Sequence, residues 1–259
     1  MNSTSTIDKY IKISWQMILN DVVLGCGILV IMMVMVNAIG IGTLFMLAIA
    51  FFMLCKSAKK LLYTSLYGQG ATMYQALPVS PEEVVLGKTT VLTGASLLYL
   101  VVLVLLGPGY SIISNWIVAL KHGSDYYMTE HVAELVAEFM NIEYLNEFMI
   151  PYIFVVTILG LVTETFRIWL MVFFGIAWYN SLPLSKKTGL AKAAAVAAVV
   201  GVQMVTGTVL NSMTEMSGEV YFLPTEVVGI VLDIIIAVII YRLTVKRVRS
   251  CDNIVWEVA

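Results

Sequence analysis

Glu164, Arg167 and Asp233 are ionisable residues set inside strongly apolar stretches of the chain. A charge in hydrocarbon is costly, so it either lines an ion or substrate path or is neutralised by a partner. Glu164 and Arg167 are three positions apart, which on a helix puts them on one face and within reach of each other. Two readings follow. The three groups can take part in ion coupling, or Glu164 and Arg167 form a structural pair while Asp233 faces a polar neighbour.

Other chemical constellations are incomplete. Leu86-Gly87-Lys88-Thr89 resembles the tail of a phosphate-binding loop, but the position that should be the loop's first glycine is Glu82. A carboxylate there repels phosphate, and no strand precedes it, so ATP binding by this chain is excluded. The two histidines, His122 and His131, have no metal-ligand spacing, and no nucleophile-elbow motif occurs. Cys26, Cys55 and Cys251 form neither a CxxC motif nor an even set, which argues against a disulfide framework or a metal site. The chain reads as non-enzymatic, with no cofactor of its own.

The elements that must position these residues follow from composition. Of 259 residues, 60% are hydrophobic and 12% charged, and the mean hydropathy is +0.91. A soluble domain has about twice that share of charge, so a soluble enzyme, a nucleic-acid binder and a disordered chain are all excluded. The expected fold is an all-α, polytopic membrane protein forming a single domain. A bilayer core of about 30 Å takes roughly 20 helical residues. Val22–Cys55 is too long for one crossing and has lysines on both flanks, so it should hold two, with Asn37–Gly42 as the turn. The spacing predicts six transmembrane helices, at about 16–36, 41–55, 88–106, 151–178, 190–210 and 227–243.

Charge position sets the orientation. Every lysine and arginine except Lys121 and Arg167 falls on or beside one side, and that side reads as cytosolic. Both termini then lie in the cytosol, and the first span is expected to remain uncleaved. The segment 107–150 is extracellular and acidic. Within it Val132, Leu135, Val136, Phe139 and Met140 recur at helical spacing opposite Glu130, Glu134 and Glu138, which predicts an amphipathic helix. Its acidic face either attracts a cationic substrate or is simply solvated. Ala193, Ala197 and Gly201, with Ala194 and Ala198 beside them, suit close helix packing, between copies or within one chain.

The connection 61–87 is too long for a minimal hairpin. Gly68-Gln69-Gly70 breaks it, and Leu77-Pro78-Val79-Ser80 stops a short element lying across the cytosolic surface. Ser80 then caps a new helix, with Pro81 at its first position and Glu83 closing a capping box. Tyr67, Gly68, Leu77, Pro78, Val79, Ser80 and the following Lys88 resemble the corresponding stretch of type-2 ABC transporter permeases. The likeness is to the small six-span exporters of Gram-positive bacteria. The connection 180–187 is similar to that family as well.

The resemblance implies a bacterial plasma-membrane permease subunit of an ABC exporter. Its cargo would be a peptide or a small amphipathic molecule. Tyr74, Leu77, Pro78, Val79, Ser80, Glu82 and Glu83 would form a coupling helix docked on a separate cytosolic ATPase. That ATPase would carry ATP and magnesium, and a second permease copy, most simply a homodimer, would complete the pathway. Glu82 and Glu83 either meet basic groups on the ATPase or stabilise their own helix N-terminus. The competing expectation is an ion-coupled secondary transporter using Glu164, Arg167 and Asp233.

Overall fold

In an apolar solvent each backbone amide must find its partner within its own segment, which favours long helices. The computed structural model describes residues 3–39, 43–68, 79–106, 150–183, 187–217 and 222–250, and among these all regular structure is helical. Helix α1 spans Ser3–Ile39. Helix α2 spans Thr43–Ala58 and runs on through a π-helical turn, Lys59–Thr64, and a final α turn, Ser65–Tyr67. Gly68 then turns to extended backbone. Helices α3 (Pro81–Leu106), α4 (Ile150–Asn180), α5 (Gly189–Ser217) and α6 (Phe222–Arg249) complete the described chain.

Five stretches are long and apolar enough to cross a membrane: Ile7–Met32, Pro81–Leu106, Phe154–Asn180, Gly189–Thr208 and Val227–Arg249. The regular part of α2 has 16 residues, about 24 Å at 1.5 Å per residue, and is not among the five. Its outer faces and those of its neighbours are apolar: Phe51, Phe52, Leu105, Phe154, Met204 and Ile235 are all exposed. In water such a surface would aggregate, whereas acyl chains solvate it. The chain is a multi-pass membrane protein.

Two helices extend beyond the spans expected from hydropathy. The first helix starts at Ser3 rather than near residue 16, so Lys9 and Lys12 are already helical. The third starts at Pro81, the position its cap predicts and ahead of the span expected from about 88, and Lys88 lies buried within it. Of the turn expected over 37–42, residues 37–39 continue α1 and 40–42 lie outside the described residues. The amphipathic helix expected in 107–150 falls outside the described residues.

The core lies among α1, α2 and α3, with α4 and α6 packed against it. Ile18, Val22 and Leu29 of α1 meet Leu61 and Leu62 of the π turn and Val85, Leu92 and Tyr99 of α3. Leu170, Phe173 and Ala177 of α4 and Val245 and Val248 of α6 extend the cluster. Close approach explains Gly25: a Cβ there would lie 2.0 Å from the Tyr99 hydroxyl. That hydroxyl donates to the Asp21 carbonyl at 3.3 Å, so α1 and α3 are pinned at this level.

Candidate functional site

The three ionisable residues singled out in the sequence converge between α4, α5 and α6. Arg167 is 1% exposed, and its Nε lies 2.8 Å from Asp233 Oδ1 of α6. The N–H is not aimed at that oxygen, so the contact is a charge pair rather than a hydrogen bond. Arg167 Nη1 donates to Thr206 Oγ1 of α5 at 2.9 Å. Glu164, one turn away, sits 3.9 Å from Nη2 with its side chain 48% exposed, and accepts from Gln203 Nε2 of α5 at 3.4 Å.

The i, i+3 pair therefore exists but is the weaker of the two. Arg167 is neutralised chiefly by Asp233, because both are buried and the attraction between buried charges is screened least. Thr206 and Gln203 escaped the sequence reading because an uncharged polar residue in a span carries little signal. The arrangement holds one guanidinium between a buried and a half-exposed carboxylate, on three helices. It can clamp α4 to α6, and it leaves Glu164 as the half-exposed member of the cluster.

A second polar group, absent from the sequence reading, joins α1 to α2. Asp21 is buried, and its Oδ1 and Oδ2 lie 2.8 Å from Lys56 Nζ and 3.2 Å from Lys60 Nζ. The partners are far apart in sequence and meet only because the α1–α2 hairpin brings them level. On α3, beside the π turn, Lys88 is completely buried. Its Nζ donates to the Leu61 carbonyl at 2.7 Å and to the Ser65 hydroxyl, and lies 5.8 Å from the Tyr10 ring centroid. In the π turn the Ser65 amide donates to the Lys60 carbonyl, and the Leu61 carbonyl accepts from the Ser65 hydroxyl as well as from Lys88.

The N-terminus of α3 follows the segment read as a coupling helix. Tyr74, Leu77 and Pro78 lie outside the described residues. Val79 packs on the edge of the core. The capping box is formed: the Ser80 amide donates to Glu83 Oε2 at 2.8 Å, and the Glu83 amide donates to Ser80 Oγ at 3.3 Å. Glu82 pairs with Arg249 at the end of α6, and its carbonyl accepts from the Tyr241 hydroxyl at 3.5 Å. The two neighbouring glutamates thus have separate tasks within the chain, one capping α3 and the other tying it to α6. Comparison with protein-family models, with curated proteins and with solved structures finds no match.

Proposed function

We propose that the chain is the permease subunit of an ABC exporter, crossing the membrane six times with α2 as the additional span and both termini in the cytosol. Its ATPase is a separate chain that binds ATP and magnesium, and two permease copies enclose the pathway. One observation carries the reading beyond the Leu77–Ser80 resemblance. The start of α3, directly after the coupling segment, is fastened both to the π turn through Lys88 and to α6 through Glu82. A push delivered at residues 74–83 therefore reaches α1, α2, α3 and α6 together, as rigid-body switching between inward- and outward-facing states requires.

The Arg167–Asp233 pair with half-exposed Glu164 supports a second reading, an ion-coupled secondary transporter. Purification from native membranes separates the two. The exporter reading expects an ATP-hydrolysing subunit to co-purify and transport to require it. Transport in vesicles that contain this chain and an ion gradient, but no ATPase, supports the alternative and overturns the first.

A further inference from the structure

The outward side of α2 changes character within three turns. Phe51 and Phe52 are 69% and 68% exposed, and Cys55 is exposed below them. Next come exposed Lys56 and Lys59 and part-buried Lys60, and finally Tyr63, 43% exposed. Residues 52, 55, 56 and 59 follow α-helical i, i+3, i+4 spacing, so they line one face, and Tyr63 follows in the π turn. Beneath that face Asp21 holds the Lys56 and Lys60 ammoniums at fixed positions. Lys59 takes no part in that contact and has no ion-pair partner among the described residues. Two ammoniums share one carboxylate and the third, Lys59, is uncompensated, which leaves an excess of positive charge at the point where the apolar face ends.

We propose that this face binds the phosphate of an anionic phospholipid. Lys56 and Lys59 engage the phosphate, Phe51 and Phe52 lie along the acyl chains, and Tyr63 sits at headgroup depth, where amphipathic aromatic rings are favoured. Asp21 is a positioning residue. It keeps Lys56 and Lys60 from splaying into water, so the site is built before the lipid arrives. Charge complementarity selects an anionic headgroup over a zwitterionic one, and the adjoining aromatic surface selects a lipid over free phosphate. The proposal rests on membrane insertion of α2 and is independent of any ATPase.

The test uses the full chain in neutral detergent, titrated with phosphatidylglycerol, phosphatidylcholine or glycerol 3-phosphate. Wild type is expected to bind phosphatidylglycerol well ahead of the other two. Lys59→Gln should weaken that binding about fivefold, the effect of one basic residue near a lipid surface, and Lys59→Arg should restore it. The lipid-free melting temperature of Lys59→Gln should equal that of wild type, which separates lost binding from lost fold. Equal affinity for the two lipids, or an unchanged affinity in Lys59→Gln, overturns the site. Glycerol 3-phosphate binding as tightly as phosphatidylglycerol overturns the lipid assignment. ATPase co-purification is expected to proceed alike in Lys59→Gln, so failure here leaves the transport reading standing.

Discussion

The helices α1 to α3 and the helix α5 are built from similar apolar residues but are used in opposite ways. Side chains from α1, α2 and α3 interlock, with Ile18, Leu29, Leu61, Leu92 and Tyr99 all buried. Among the described side chains of α5 only Ala195 is buried, and at Gly201 and Gly207 an added Cβ would meet nothing within 4 Å. Their charges differ in the same sense. Lys88 is wholly enclosed by the packed side, whereas the polar cluster beside α5 leaves Glu164 half exposed. A dense half transmits displacement as a body, and a loosely held helix beside buried charge is where displacement can change the shape of a pathway.

Breaking the charge pair beside α5 should produce the largest effect. Arg167→Ala strands Asp233 without its cation and is expected to cost about 3–5 kcal/mol of stability, read by thermal unfolding in detergent. Arg167→Met with Asp233→Leu should recover most of that loss. If the double variant also transports normally, the pair is a clamp only; if it folds but fails to transport, the cluster belongs to the pathway. On the packed side, Lys88→Met removes the donor to the Leu61 carbonyl and should cost about 1.5–3 kcal/mol. Hydrogen exchange should then rise first in the π turn, and protection unchanged there would contradict its role as the fastening point.

Two smaller perturbations sharpen the contrast in packing. Gly25→Ala places a methyl group against Tyr99 and is expected to cost about 1–3 kcal/mol, whereas Gly201→Ala on α5 meets open space and should be neutral or slightly stabilising. Equal losses at the two glycines would contradict the difference between the halves. Ser80→Ala removes one side of the capping box and should cost about 1 kcal/mol. Least of all, Glu82→Gln breaks an exposed pair with Arg249 and should change stability by under about 1 kcal/mol, detectable only by comparing its melting temperature with that of Arg249→Gln.

Much of this was legible in the sequence wherever the signal is local. Hydropathy marked the long apolar helices, Ser80 and Glu83 spelled out the cap, and the three intramembrane charges were recognisable as a group because charge is rare there. Long-range pairing was not legible. Asp21 drew no notice in the sequence, since nothing near it reveals that Lys56 and Lys60 fold back onto it. Lys88 read as the entrance to a membrane span, because its burial depends on Tyr10 and Leu61 from two other helices. The π turn left no trace, as Lys59–Thr64 is equally compatible with ordinary α-helix. Asp233 was expected beside a polar neighbour, and its partner proved to be Arg167, with Glu164 as the outer member.

Coupling between the segment before α3 and ATP hydrolysis on another chain is the central claim, and it has one direct measurement. The chain is purified with the ATPase that the proposed function requires, reconstituted into vesicles and assayed for transport per ATP hydrolysed, as wild type and as the Pro78→Gly, Val79→Asp variant. The account predicts that the variant still inserts yet loses transport while hydrolysis continues. Unchanged coupling in the variant, or transport by the chain in vesicles free of any ATPase, would contradict it.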